Sequence, residues 1–345
     1  MKVVSLFSGI GGFEEGIKQA NIKHKLIFSS EIDNFAQASY LANFPKARLY
    51  GDITKINEND IPKHDILFAG FPCQPFSITG KQMGFSDTRG TLFFHIERIL
   101  KSKKPKYIIL ENVKNLISHD KSRTIKTILK SLNDIGYTVD FDILNAKDFD
   151  IPQNRERIYI VGIYKYTQEQ TPSTDTIYNI KKDFTCFNFF NTLHKSNTFK
   201  VLNDIVLDDL ENHLLPNKVQ EFINTIKIDL NITKKKEIIK LLDLPKEIHN
   251  DLERQRRVYS VLGLSPTILA RSDSPKILIQ KNTSKYIKKL SPKECFLIQG
   301  FSTEFIKNIQ NSKISNTQMY KQAGNAVNPP IVSAILKHLL GDKNV

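Results

Sequence analysis

The chain has 345 residues, of which 40% are hydrophobic, and 50 Lys and Arg against 36 Asp and Glu give it a formal net charge of +14. This length is enough for a large core and more than one domain, and the apolar content is ordinary for a globular protein, so it argues against a disordered chain. The basic excess favours a polyanionic partner, nucleic acid above all, although a merely soluble basic surface would have the same composition.

The 3 cysteines lie far apart, with no Cys-x-x-Cys and no Cys/His pair at ligand spacing. We therefore expect neither a zinc site nor any other metal, and no disulfides. The apolar part of the N-terminus is too short for a signal peptide, and no run approaches the ~18 apolar residues of a membrane span. These features predict a cytoplasmic protein, associated with the nucleoid if its partner is DNA.

Short apolar runs alternate with helical patterns in the first half of the chain. Strands are predicted at 2–7, 25–29, 65–69, 106–110 and 157–163. Each is rich in Val, Ile, Leu, Phe or Tyr, as strands buried on both faces are. Helices are predicted at 12–20, 34–44, 91–100 and 124–135. Asp120 or Ser122 could cap the last of these helices, and Gly136 could end it. The alternation predicts an α/β fold with a doubly wound, mostly parallel sheet, which binds ligands at the carboxyl ends of its strands.

The regular pattern weakens after about residue 165, where Asn, Thr and Lys become frequent, and it returns near the C-terminus. We expect a catalytic and cofactor-binding domain over 1–168 and a smaller second domain over 169–287. Residues 288–345 would form a hinge and a C-terminal segment that returns to the first domain.

The segment VVSLFSGIGGFEEGI (3–17) predicts a strand, a glycine turn and a helix, which together offer free N–H groups to a ligand. It is not the dinucleotide fingerprint GxGxxG, because Glu14 occupies the position of the third glycine. Glu31 ends the second predicted strand and could accept from both hydroxyls of a ribose, and Asp52 could accept from an exocyclic amine. This set indicates a nucleoside pocket that suits S-adenosylmethionine better than NAD. A structural turn and a solvated strand end remain the alternatives.

Cys73 follows the third predicted strand and lies between Pro72 and Pro75, which restrict the backbone on both sides. A thiol held at the edge of a pocket is a candidate nucleophile. The alternative role is a small buried hydrophobe, which we expect for Cys186 and Cys295.

Charged residues come at the ends of the next two predicted strands. Glu111 ends one of them and could be a partly desolvated acid that donates to a ring nitrogen, or a helix cap. Arg155 and Arg157 begin the other, and their spacing places both on one face of that strand. They could also form a surface ion-pair cluster with Glu156.

Six segments resemble, in this order, the DNA (cytosine-5) methyltransferases of bacterial restriction-modification systems: LFSGIGGF, GFPCQPFS, LENV, QNRERIY, LSPKECFLIQGF and QAGNAVNPP. The resemblance covers roughly 1–165 and 288–335. It implies the S-adenosylmethionine-dependent methyltransferase fold with a smaller DNA-recognition domain. It also implies methyl transfer to C5 of a flipped-out cytosine in duplex DNA, through a covalent bond between Cys73 and C6 of the base.

The resemblance also implies individual roles. The catalytic residues would be the nucleophile Cys73, Glu111 at cytosine N3, Arg157 at O2, and Arg155 supporting the nucleophile's surroundings. The cofactor-binding residues would be Phe7, Ile10, Gly12, Glu31, Ile32, Asp52, Ile53, Gly70, Pro72, Leu92 and Asn325. The DNA-binding residues would be Thr79, Gln82, Arg256, Arg257, Ser265 and Thr267, although a hairpin or core role is open for the last four. Ala326 departs from the Ser often found beside the family's Asn, which puts a hydroxyl contact to the cofactor carboxylate in doubt.

We expect a monomer that acts on double-stranded DNA without membrane association, and a cognate restriction endonuclease could act separately. Two alternatives are an RNA cytosine-5 methyltransferase on the same scaffold and a non-catalytic DNA-binding homologue. Gln74 and the long insert 166–287 favour DNA over RNA. The intact set of Cys73, Glu111 and Arg157 favours an enzyme over a binding protein.

Overall fold

The computed structural model describes residues 1–72, 92–166, 176–206 and 213–341. The strands, in chain order, are β1 (Lys2–Leu6), β2 (Lys25–Ser30), β3 (Leu49–Tyr50), β4 (Ile66–Gly70), β5 (Tyr107–Val113), β6 (Tyr137–Asn145), β7 (Gln153–Asn154), β8 (Glu156–Tyr164), β9 (Lys240–Asp243), β10 (Arg257–Ser260), β11 (Ser265–Pro266), β12 (Lys276–Lys281) and β13 (Ser284–Lys289). The helices are α1 (Gly12–Gln19), α2 (Asn34–Asn43), α3 (Leu92–Lys103), α4 (Arg123–Ile135), α5 (Thr176–Lys181), α6 (Asn217–Thr225), α7 (Pro292–Ile298), α8 (Thr303–Asn311), α9 (Asn316–Asn325) and α10 (Pro329–Leu340).

The chain forms two compact units. Unit 1 comprises Met1–Leu144, Glu156–His194 and Val332–Val345, and unit 2 comprises Asn145–Arg155 and Lys195–Ile331. None of the helices in the described ranges is long and apolar enough to cross a membrane.

Unit 1 is built on a sheet whose strands, within the described residues, follow the order β3-β2-β1-β4-β5-β8-β6. The pairs β1–β2, β1–β4, β2–β3 and β4–β5 are parallel, and β5–β8 is antiparallel. The prediction of a doubly wound, mostly parallel sheet is therefore confirmed. The order of the strands reverses at the neighbours β1 and β4, and such a switch point is where α/β sheets bind ligands.

The apolar runs of the sequence form the core of unit 1. Side chains of the central strands, such as those of Val4, Leu67 and Ile108, are fully buried in one cluster that the helices cover. All five predicted strands are present, and the largest difference is that β5 continues to Val113 instead of ending at residue 110. This extension places Glu111 within the strand, with a partner on each side.

Strand β6 was missed by the sequence analysis because Asp140 and Asp142 interrupt its apolar pattern. Asp140 is nevertheless buried, with its carboxylate 2.5 Å from the Lys181 ammonium and accepting from the backbone N–H groups of Phe189 and Phe190. A buried carboxylate is stable only with such partners, and these come from a later part of the chain.

The predicted capping of α4 was partly wrong. Ser122 occupies the N-cap position but has a left-handed backbone, with φ 65°, and makes no side-chain capping bond. The carboxylate of Asp120 pairs with the Arg123 guanidinium. Gly136 ends the helix at φ 108°, as predicted.

Unit 2 contains a sheet of strand order β13-β12-β10-β9 and a short pair, β11–β7. Helix α6 packs on β13, and the core between them includes Val219, Ile223, Val258 and Ile287. Helices α7, α8 and α9 complete this unit. Its N-terminal piece, 145–155, carries β7 and the residue Arg155.

Candidate active site

The glycine turn of unit 1 follows β1 at the switch point of the sheet. Phe7 has a φ of 52°, which is strained for a bulky residue, and Gly9 and Gly11 have φ of 55° and 99°. A Cβ at Gly11 would overlap the Phe44 ring, so this position requires glycine. Helix α1 begins at Gly12 directly after the turn. Strain of this kind is concentrated at ligand-binding loops.

Glu31 is tied to this turn by its carboxylate. The Gly9 N–H donates to Glu31 Oε2 at 2.8 Å, and the Asp33 N–H donates to Oε1 at 2.8 Å. Both oxygens are thus fixed by backbone donors, and each retains a further lone pair. An oriented carboxylate of this kind can accept from the two hydroxyls of a ribose, which fits the predicted role of Glu31.

An exposed apolar side chain and a second carboxylate lie between Glu31 and residue 52. Ile32 is 68% exposed, and Tyr50 stacks on Phe28 with 4.4 Å between ring centroids. Asp52 accepts from the Thr54 N–H at 2.9 Å. Burial raises the pKa of Asp52, but the hydrogen bonds from Thr54 and the charges of nearby residues outweigh it and hold the pKa below its ordinary value. Asp52 is therefore an anion at neutral pH, able to accept from an amine.

The remaining predicted cofactor residues of unit 1 differ in exposure. Ile10 and Ile53 are buried, and the Ile53 carbonyl accepts from Arg98 at 2.8 Å. Pro72 is exposed, and Leu92 begins α3 and packs on the core. Gly12 is buried and begins α1, and Gly70 ends β4. Asn325 belongs to unit 2, where it is the exposed last residue of α9.

Glu111 and Arg157 are brought together by the pairing of β5 and β8. Glu111 lies beside Gly70 on the parallel strand β4 and opposite Tyr159 on the antiparallel strand β8. Arg157 lies two residues from Tyr159, on the same face of its strand, and its Nε is 3.4 Å from Glu111 Oε1. Glu111 is only 9% exposed. The sheet thus holds an acid and a guanidinium donor side by side, next to the strand that precedes Cys73.

Asn112 has a role that the sequence analysis did not assign. Its Nδ2 donates to the Phe71 carbonyl at 2.8 Å, and its Oδ1 accepts from the Val113 N–H. The side chain is buried, so both bonds are shielded from water. Asn112 therefore attaches the end of β5 to the backbone two residues before Cys73. A polar residue next to a candidate acid at a strand end was the available sequence signal.

Three of the predicted functional residues, Cys73, Thr79 and Gln82, lie outside the described residues. The other two cysteines have raised pKa values. Burial raises the pKa of Cys186 to about 12, and it raises the pKa of the fully buried Cys295 thiol even further. Thiols of this kind are poor nucleophiles at neutral pH. In the ranges that the structure describes, no cluster of His, Cys, Asp and Glu is arranged to hold a metal.

Two of the predicted DNA-binding residues, Arg256 and Arg257, make contacts within unit 2. Arg256 Nη1 donates to the Leu244 carbonyl at 2.7 Å. Arg257 lies 3.8 Å from Asp243 and 3.5 Å from Glu253. The first contact is a fixed backbone bond, whereas the pairs of Arg257 are exposed and weak.

Three more predicted residues of unit 2 are held by backbone groups. The Ser265 hydroxyl donates to the Pro266 carbonyl and the Thr267 hydroxyl to the Asn154 carbonyl, both at 2.7 Å. The guanidinium of Arg155 is buried and donates to the carbonyls of Ile268, Gly324 and Ala326.

Comparison with known proteins gives one consistent result. The family model described as C-5 cytosine-specific DNA methylase matches residues 1–341. The Type II methyltransferase M1.ScrFI of Lactococcus lactis subsp. cremoris is 40% identical over 98% of this chain and 78% of its own length. The Type II methyltransferase M.HaeII of Haemophilus aegyptius is 38% identical over 100% of this chain and 94% of its own length. The solved structure of S. pombe Dnmt2 methyltransferase matches the fold with a TM-score of 0.71 over 100% of both chains, at 18% identity.

Proposed function

Because this chain belongs to the C-5 cytosine-specific DNA methylases, we propose that it transfers a methyl group from S-adenosylmethionine to C5 of a cytosine flipped out of a specific duplex DNA sequence. We further propose that it is the protective methylase of a Type II restriction-modification system, acting as a monomer and separately from its endonuclease. Relatives named Type II methyltransferases support this role.

The observation that carries the proposal is the pairing of Glu111 with Arg157 at the carboxyl edge of β4, the strand that leads to Cys73. Cytosine C5 is a weak nucleophile until a thiolate adds at C6. That addition turns C5 into an enamine-like carbon and moves electron density to N3 and O2. A proton or hydrogen bond from Glu111 at N3, and a hydrogen bond from Arg157 to O2, would stabilise that charge.

The later steps restore the enzyme. Once C5 carries the methyl group, a base removes the C5 proton, and the electron pair of that C–H bond re-forms the C5–C6 double bond as the Cys73 thiolate leaves. We expect an ordered water to take this proton. Arg155 would support the surroundings of the nucleophile without contacting the base.

The residues of the switch point fit S-adenosylmethionine, which supplies an electrophilic methyl group when bound. The carboxylate of Glu31 is oriented for ribose hydroxyls, Ile32 offers exposed apolar surface for an adenine, and Asp52 is an anion that can accept from the adenine amine. Phe7, Ile10, Gly12, Gly70 and Leu92 would complete the pocket from unit 1.

A base that is stacked in a duplex cannot reach a thiol in a pocket, so the cytosine must leave the stack, at a cost of a few kcal/mol. Contacts between basic side chains and phosphates would offset this cost, and the net charge of +14 supports such contacts.

The proposal is tested with purified protein, tritiated S-adenosylmethionine, and duplex DNA or RNA as acceptor. We expect label in DNA at one sequence, located by bisulfite sequencing, and a covalent adduct with DNA that carries 5-fluorocytosine at that site. Cys73→Ala should abolish methylation and keep DNA binding. Label in RNA alone, or substantial turnover by the Cys73→Ala variant, would contradict the proposal.

A further inference from the structure

The segment 265–271 of unit 2, called here the clamped segment, is attached to residues 152–155 through its first four residues. Ser265 pairs with Gln153 in the parallel bridge of β11 with β7, and its N–H donates to the Pro152 carbonyl at 2.8 Å. The Thr267 hydroxyl bonds to the Asn154 carbonyl at 2.7 Å. These contacts fix the main chain of the segment in one register.

Gln153 makes the central contact and is fully buried. Its Oε1 accepts from the Ile268 N–H at 3.0 Å, and its Nε2 donates to the Ile298 carbonyl and to Gln299 Oε1. Gln299 Oε1 also accepts from Asn328 Nδ2. A buried amide network of this kind favours one arrangement, because any shift leaves polar groups without partners in a low dielectric.

Arg155 binds the carbonyl of the same residue, Ile268, whose N–H is bound by Gln153. Its Nη1 donates to the Ile268 carbonyl at 3.3 Å, and its Nη2 donates to the carbonyls of Gly324 and Ala326 at 3.1 and 2.9 Å. The planar fork of a guanidinium sets all three directions at once, which an ammonium cannot do. A Cβ at Gly324 would overlap the Leu269–Ala270 peptide, so the main chains pack here in direct contact.

Arg271 ends this clamped segment. Its N–H donates to the Leu269 carbonyl at 2.9 Å, which makes a tight turn, and Leu269 is 42% exposed. Within the described residues the Arg271 guanidinium has no ion-pair or hydrogen-bond partner, and its Nε is buried. Arg256 and Arg257, in contrast, are engaged by a carbonyl and by carboxylates. A half-buried guanidinium on a tight turn, with no partner among the residues that the structure describes, is suited to an external anion.

We propose that Arg271 contacts a DNA phosphate, and that Gln153 and Arg155 are positioning residues that hold the turn carrying it. This inference rests on the proposed function, since it takes DNA as the substrate. Since Nε is the buried nitrogen of the Arg271 guanidinium, the Nη groups are the ones that can donate to a phosphate. Such a contact requires no particular base.

The test compares lysine substitutions at the two arginines. A lysine at position 271 keeps a point charge that can bind phosphate, whereas a lysine at position 155 cannot reach three fixed carbonyls. We expect Arg271→Lys to bind the site-bearing duplex within about threefold of the wild-type Kd, and Arg271→Gln to weaken binding about tenfold. The slope of log Kd against log salt should fall by about one unit for Arg271→Gln.

The positioning role predicts the opposite pattern for Arg155. Arg155→Lys should weaken DNA binding about tenfold although its charge is kept, and it should leave the Kd for S-adenosylmethionine unchanged. Gln153→Met should likewise weaken DNA binding about tenfold and leave the Kd for S-adenosylmethionine unchanged. Ile223→Val in the α6 core serves as a matched stability control, with thermal midpoints measured for all variants. The control should bind DNA like the wild type.

The outcomes separate the inference from the proposed function. Should the wild-type enzyme methylate DNA while Arg271→Gln keeps the wild-type Kd and salt slope, the phosphate contact is overturned. Should Arg155→Lys bind DNA like the wild type, the positioning role is overturned. A wild-type enzyme that methylates no DNA would overturn the proposed function itself.

Discussion

The substitution Glu31→Gln tests the site most directly, because both carboxylate oxygens of Glu31 have backbone donors. Gly9 and Asp33 each donate an N–H to one oxygen at 2.8 Å. A glutamine has one oxygen and one NH2 group, so one of these N–H groups would face another donor. The two side chains have nearly the same volume, so the substitution changes charge and hydrogen bonding and leaves packing unchanged.

The expected magnitude follows from the bonds that form only in the complex. The carboxylate offers a charged acceptor to each of two ribose hydroxyls, whereas the glutamine amide offers one neutral oxygen. Loss of one hydrogen bond to a charged group costs about 1.5–3 kcal/mol. The Kd for S-adenosylmethionine should therefore rise about 10- to 100-fold.

The assay is isothermal titration of S-adenosylmethionine into the wild type, Glu31→Gln and the control Asp134→Asn. Asp134 forms an exposed ion pair with Lys130 on α4, so its neutralisation should leave the Kd unchanged. A Glu31→Gln variant that binds within about twofold of the wild type would show that the carboxylate is not a cofactor ligand.

Three further predictions concern buried polar groups. Burial raises the pKa of Glu14 above its ordinary value. The protonated Glu14 side chain therefore contributes its full share of the folding free energy below that ordinary value. This contribution is lost as the pH rises through the raised pKa. The free energy of unfolding of Glu14→Gln should therefore increase relative to that of the wild type as the pH rises above the ordinary pKa of a glutamate, and parallel denaturation profiles would refute this. Lys288→Met removes the ammonium that lies 2.9 Å from the buried Glu294 carboxylate, and it should lower the free energy of unfolding in urea by about 3–5 kcal/mol. Adding Glu294→Gln should restore part of that free energy, because the uncompensated buried charge is then gone. Equal stability of the single and double variants would contradict the role of this pair. Asn112→Asp removes the N–H donor to the Phe71 carbonyl. It should lower kcat at least about tenfold with little change in the Kd for S-adenosylmethionine. An unchanged kcat would argue that the bond from Asn112 to Phe71 does not position the catalytic residues.

Local patterns in the sequence determined most strands of the unit 1 sheet and the glycine turn at its edge. Buried parallel strands are continuous apolar runs, and a glycine turn between a strand and a helix is contained in a few adjacent residues. The strands, α1 and the position of Glu31 after β2 therefore followed from short windows. The family resemblance rests on the same short windows, and the match over residues 1–341 confirms it.

Only the tertiary structure decided which distant residues meet. The contact of Glu111 with Arg157 depends on β8 lying antiparallel beside β5, which no local periodicity encodes. Strand β6 was missed because the partner of Asp140 is Lys181, and burial of a charge is set by such remote contacts.

Remote contacts also decide which arginines of unit 2 have partners within the described residues. The sequence offers Arg256, Arg257 and Arg271 as equal cations, and the folded chain gives the first two internal partners and leaves the third without one among the described residues. Residue type and spacing thus define what chemistry a side chain can perform. The long-range contacts define which side chains are still available to perform it.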